Sequence, residues 1–189
     1  MLPARNLVVV FTGGQFEPGD IGRFIGQSVK SDQPLPESPS GAARLAKAIN
    51  EVKRPLAAQP AAPEPPISKT VSGKSYQLES NPIDLKSVSM TFSGSNEAVV
   101  RLEFTDGRIE QRPIGLDGVP RISPGGRFGL PVALKGAWES NDTFVFNYNE
   151  VANINSYSFR MTFSGVDVSV QLKEKTGLKE GKFHGRQSR

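Results

Sequence analysis

The sequence contains no cysteine, which excludes disulfide scaffolds, thiolate metal sites and cysteine nucleophiles together. Histidine is almost as scarce. The single one, His184, follows Gly177 in a basic C-terminal stretch, where a solvated side chain is a better reading than a base or a metal ligand. Long apolar runs are missing as well. Nothing approaches the roughly 20 residues of a membrane-spanning helix, and Leu7-Val8-Val9-Val10-Phe11 is shorter than the roughly 7-residue apolar core of a signal peptide. The chain is therefore expected to be soluble, with no membrane span and nothing that directs export. The net charge of +4 resides entirely from Lys173 onward, where six basic residues face two acidic ones. Without interleaved aromatics or a nucleic-acid-binding motif, that tail does not imply a nucleic-acid partner.

What is present divides the chain into zones. Five prolines among alanines at residues 55–66 (Pro55, Pro60, Pro63, Pro65 and Pro66) remove backbone donors and favour an extended spacer. Ahead of it, in residues 1–54, the run Leu7 to Phe11 ends at Thr12-Gly13-Gly14 and fits a strand buried on both faces. Ala42, Leu45, Ala46, Ile49 and Val52 recur at helical spacing over 40–52, with Ser40 placed to cap. A second helix fits 20–29, with Ile21, Phe24 and Ile25 on one side and Gly22 and Gly26 weakening it. One strand and two helices cannot enclose a core.

Beyond the spacer the period changes to two. Val88, Met90 and Phe92 alternate with Ser87, Ser89 and Thr91, and Val100, Leu102 and Phe104 alternate with Arg101 and Glu103 before the hairpin signal Asp106-Gly107. Further strands are predicted at 74–79, 108–116, 130–138, 143–151, 156–163 and 166–173. Residues 67–183 thus read as a mainly β domain, an antiparallel up-and-down barrel of about eight strands or a flattened sandwich, with 184–189 as a basic tail. Closure into a barrel removes both sheet edges.

No residue earns a catalytic, cofactor-binding or metal-ligating assignment, since the chain lacks Gly-x-Ser-x-Gly, His-Glu-x-x-His and a phosphate-binding glycine loop. The candidates for ligand or interior contacts are Trp138, Asn147, Tyr148, Asn149 and Tyr157. The asparagines Asn147, Asn149, Asn153 and Asn155 fall at alternate positions and would share a face of one continuous strand. The plainer reading is a hairpin turn near 150–155 that they serve. The aromatics form either a ligand box or, more simply, core packing.

The run Leu2-Pro3-Ala4-Arg5-Asn6-Leu7-Val8-Val9-Val10-Phe11-Thr12-Gly13-Gly14 resembles the closing strand of serine hydrolases of the β-lactamase and penicillin-binding-protein type. The stretches Arg112-Pro113-Ile114-Gly115-Leu116-Asp117-Gly118 and 150–163 resemble the lipocalin-like C-terminal β domain that some members carry. Lys175-Thr176-Gly177 also matches that family's third motif, but no serine precedes a lysine by three residues, so the match is a decoy. The resemblance implies a non-catalytic accessory domain whose partner is a catalytic serine-hydrolase domain ahead of Met1, shaping active-site access or homo-oligomer contacts. The alternative is a stand-alone lipocalin-like module that binds a small molecule. Interior volume separates the two: Phe92, Phe104, Phe146 and Phe163 could fill the barrel, whereas a cavity of about 300 Å³ or more favours a binder.

Overall fold

The computed structural model describes residues 7–10, 18–31, 33, 36–94 and 96–188. The chain divides into two compact units, Met1–Pro55 and Leu56–Arg189. In the first, α1 (Pro18–Ser28) and α2 (Pro39–Val52) form where the apolar spacing predicts helices. The cap of α2 is Ser38 rather than Ser40: its Oγ accepts from the Gly41 N–H at 3.2 Å, and Pro39 supplies a first-turn residue that needs no donor. Leu7 to Val10 form no strand. Leu7 makes an isolated bridge, Val8 and Val10 are exposed, and Phe11 lies outside the described residues.

The second unit is a barrel. After α3 (Ile67–Val71) come β1 (Ser75–Leu78), β2 (Leu85–Phe92), β3 (Glu97–Phe104), β4 (Ile109–Gly115), β5 (Arg121–Ser123), β6 (Val132–Trp138), β7 (Thr143–Glu150), β8 (Ser156–Ser164), β9 (Asp167–Glu174) and β10 (Glu180–Gln187). Hydrogen-bonded neighbours run β4-β3-β2-β1-β10-β9-β8-β7-β6, and β4 then meets β6 to close the ring. Nine strands alternating in direction around a circle must meet in one parallel pair. That pair is Gly115↔Lys135 of β4 and β6.

The short β5 occupies the rest of this seam. It pairs antiparallel with β6 from Arg121↔Leu134 to Ser123↔Val132, and wedges between β6 and the part of β4 that precedes Gly115. Two arginines stitch what the backbone ladder leaves open. Arg112 on β4 is 5% exposed and donates to Ser123 Oγ (3.0 Å), Pro124 O (2.8 Å) and Gly125 O (2.9 Å). Arg121 on β5 binds Asp117 through two donors and reaches Glu97 at 2.9 Å. The Arg121 hydrogen bonds hold the Asp117 carboxyl below the usual carboxylate range. Gly115 admits no side chain, because a Cβ there would lie 1.8 Å from Val119 O.

The interior is filled unevenly along the barrel axis. At the end closed by α3, Phe92, Trp138, Phe144 and Phe163 meet with ring centroids 5.0–6.1 Å apart. Tyr76 adds to the cluster through Phe163. Ser72, just past α3, fixes the helix to β2 by exchanging hydrogen bonds with the backbone of Phe92. Halfway up, Phe146 and Phe159 stack in parallel at 4.6 Å. Above that pair the core stops.

Two sequence expectations change at the edges of this unit. The proline-rich segment does not stand clear: the Gln59 N–H donates to Asp117 O at 2.8 Å, and Pro65 is buried. Glu64 on the same segment accepts from Ser68 Oγ and the Gly94 N–H, both at 3.1 Å. The barrel also continues past 183, because β10 runs to Gln187. His184 is thus an exposed strand residue and not part of a tail. The Lys175-Thr176-Gly177 decoy is the turn between β9 and β10. There the buried Glu174 carboxylate accepts from the backbone N–H groups of Thr176 and Leu178, the Thr176 hydroxyl and Asn155 Nδ2. Burial pushes this carboxyl up, but those donors outweigh it and leave its pKa lowered.

Candidate functional site

At the end opposite α3, the loops after β1, β3, β5, β7 and β9 surround the mouth of a cavity of about 600 Å³. Its floor and walls are Leu102, Phe104, Tyr148, Tyr157 and Phe159, with Ile83 at the side. Its charged groups are Asp84, Asp106, Arg108, Glu110, Arg127, Glu150 and Lys179. The cavity exists because the inward positions near the mouth carry polar or ring-tipped residues where the lower barrel carries plain phenyl rings. On β7 the inward series is Phe144, Phe146, Tyr148, Glu150.

One network organises the wall next to the seam. The Glu110 carboxylate, 7% exposed, accepts from Arg112 Nε (2.7 Å), the Tyr148 hydroxyl (2.9 Å) and Arg108 Nη1. The guanidinium of Arg108 also lies 3.6 Å from the centroid of the Phe104 ring. Arg112 thus joins cavity wall to barrel closure. One inward position beyond Tyr148 on β7, Glu150, also 7% exposed, accepts from Asn153 Nδ2 at 2.6 Å. The lip is formed by residues 124–131, where Phe128 is 77% exposed and holds φ at +57° between two glycines of positive φ, Gly125 and Gly129.

The structure separates the five residues singled out from sequence. Tyr148 and Tyr157 pair across β7 and β8, line the cavity together, and bring their rings to 6.3 Å at 71°. Trp138 is at the far end, in the aromatic plug. Asn147 and Asn149 are exposed on the outer face. The idea of a shared asparagine face fails because residues 151–155 turn the chain: β7 points its even-numbered residues inward, and β8 its odd-numbered ones. Asn153 and Asn155 serve that turn and its neighbour, on Glu150 and Glu174. Glu110, Arg112 and Glu150 were missed. In sequence they look like ordinary charged residues, and the only available signal was that Glu110, Arg112 and Ile114 share the face that Leu102 and Val100 bury on β3.

The tyrosines report this environment. Burial raises Tyr76; burial and then the Glu110 charge and hydrogen bond raise Tyr148 well above its ordinary value; burial and then the charges of Glu150 and Glu174 raise Tyr157. These are all three tyrosines of the chain. An alkaline titration followed at the tyrosinate absorbance should therefore place the transitions above the free value of about 10 while the barrel stays folded. The sign follows from proton binding: above about pH 10 the folded state holds protons that the unfolded chain releases, so stability falls as pH rises. A reversible tyrosinate step at pH 10 with unchanged circular dichroism would contradict the burial of these rings.

The fold is a closed up-and-down barrel of lipocalin-like architecture, plugged at one end and hollow at the other. The barrel is similar to a Schistosoma mansoni fatty acid binding protein in complex with arachidonic acid, with a TM-score of 0.50 and 10% identity over 65% of this chain and 98% of that one. It is similar also to As-p18, an extracellular fatty acid binding protein, with a TM-score of 0.50 and 7% identity over 67% of this chain and all of that one. At such identities the likeness is one of fold. No family model and no curated protein sequence matches the chain.

The resemblance to β-lactamase-type serine hydrolases is thereby overturned. Of the three segments that suggested it, the first does not form the strand expected of it, and the other two lie in the lipocalin-like barrel. Leu7 to Val10 form no strand, residues 112–118 are the seam of the barrel, and 150–163 is the turn and strand that build the cavity wall. Among the described residues no helix is long and apolar enough to cross a membrane.

Proposed function

We propose that the barrel binds a small amphipathic molecule in the cavity at its open end. The observation that carries this reading is the cavity itself. Its volume of about 600 Å³ lies inside the roughly 300–1,000 Å³ of small-molecule sites and well above the size at which a filled core would be the better account. Leu102, Phe104 and Phe159 offer an apolar floor, while Glu110, Glu150, Tyr148 and the lip supply polar contacts. The similar folds are those of proteins named for binding fatty acids, one of them holding arachidonic acid. This supports a lipid-like ligand with an apolar chain. The stacked Phe146 and Phe159 bar the lower half, so the site suits a short chain or a compact ring system.

Titration with an anilinonaphthalene sulfonate probe, followed by displacement with ten-carbon amphiphiles, tests the reading. Saturable binding at one site per chain is expected, weakened by Tyr157→Trp, which puts a larger ring into the cavity. Probe binding that does not saturate, or that Tyr157→Trp leaves unchanged, overturns it.

A further inference from the structure

The two buried carboxylates of the cavity are not equivalent. Glu110 is satisfied: Arg112 Nε, the Tyr148 hydroxyl and Arg108 all donate to it, and the other donors of Arg112 are held by Ser123, Pro124 and Gly125. A ligand carboxylate arriving at this arginine–tyrosine pair would find its place taken and would face a like charge. Glu150 stands one step up the same inward face from Tyr148. Its Oε2 accepts from Asn153 Nδ2, while Oε1 takes no hydrogen bond from any described residue. That oxygen is not sealed from solvent, so it stands open at the cavity as an acceptor for an opposite charge or a donor.

We infer that this cavity is built for a cationic head group, an alkyl or aryl ammonium that pairs with Glu150 beside the rings of Tyr148 and Tyr157. The inference rests on the proposed binding function and deepens it by naming the ligand's charge. An ammonium supplies Oε1 with the donor it lacks, and the neighbouring tyrosine rings add attraction for a cation. The Glu150 charge already acts on both phenols, raising each. The cavity's own cations have other partners, Arg108 the Glu110 carboxylate, while the Arg127 charge opposes Glu150 at Tyr157. Arg108 and Arg127 are exposed and lie over Phe104 and Phe128, and Lys179 is exposed on the β9–β10 turn. An apolar tail can then run down to Leu102 and Phe159 while the head stays at the level of Glu150.

Isothermal titration of the full chain at pH 7 with decylammonium, decanol and decanoate decides the matter. Decylammonium is expected to bind about ten-fold more tightly than decanoate, the size of one charge-assisted hydrogen bond. Glu150→Gln, nearly isosteric and still able to accept from Asn153, should abolish that preference and leave decanol within about two-fold. Asn153→Ala, which removes the brace and keeps the charge, should preserve the preference. Decanoate binding as tightly as decylammonium overturns the inference, leaves the binding function standing and moves the head group to the lip cations. Equal weakening of all three by Glu150→Gln also overturns it and makes Glu150 a brace of the β7–β8 turn. Absence of binding by all three fails the inference and the proposed function together.

Discussion

Arg112→Ala is expected to lower the unfolding free energy by about 3–5 kcal/mol, the range for removing one member of a buried ion pair, and to show it as a large fall in the urea midpoint. Two losses combine. Glu110 would keep its burial but lose its buried guanidinium partner, and the open stretch between β4 and β5 would lose its bonds to Ser123, Pro124 and Gly125. Arg112→Lys should recover little, because a single ammonium cannot reach four acceptors spread around a planar fork. Adding Glu110→Gln to Arg112→Ala should restore part of the loss, since the stranded charge is then gone. A double-mutant cycle among these variants measures the coupling. A loss below about 1 kcal/mol for Arg112→Ala, within the range of surface substitutions and weak ion pairs, would remove the seam from the account of stability.

Phe144→Ala is expected to cost a similar amount, about 3–5 kcal/mol for a fully buried phenylalanine, by a different route. The ring is wholly buried and touches those of Phe92, Trp138 and Phe146. Gly136 faces it across β6, where a Cβ would come within 2.8 Å of Phe144 Cζ. The void left by alanine cannot be filled by neighbours already packed in rings, so the plug loosens. The ligand cavity lies at the other end, and affinity for the anilinonaphthalene probe, measured well below the midpoint of unfolding, should change little. A large loss of affinity with small loss of stability would mean that plug and cavity are not separate halves of the barrel.

Most of this architecture is legible wherever a strand buries one face. Val88, Met90, Phe92, Val100 and Leu102 declare their strands by alternation, and all are buried as that pattern requires. A bulge between Leu85 and Ser87 shifts the phase, so Leu85 turns inward out of step. What escapes is informative. The β10 strand has one large inward residue, Phe183, flanked by Gly181 and Gly185. The second glycine is needed because a Cβ there would meet Leu78 Cδ2 at 2.5 Å, and the apolar signal vanishes with the side chain. The β5 strand is too short between Pro120 and Pro124 to show a period. The cavity residues escape for a deeper reason: Glu110 and Glu150 are charged side chains facing inward, which local pattern assigns to solvent, and only the closed barrel puts them inside.

The parallel junction of β4 and β6 has a consequence for how this chain could be cut and rejoined. Strands β1 and β10 lie side by side, and the Ser188 N–H donates to Ser75 O at 2.8 Å, so the two ends of the barrel's chain already touch. Linking them and opening the chain in the turn between Gly115 and Arg121 would give a circular permutant in which every antiparallel neighbour in the ring is also the next in sequence. In that permutant the parallel pair becomes a meeting of the first and last strands of the nine-strand ring, with β5 ahead of them. The barrel keeps its first and last strands side by side in the sheet, and holds its parallel junction on the far side of the ring with two arginines.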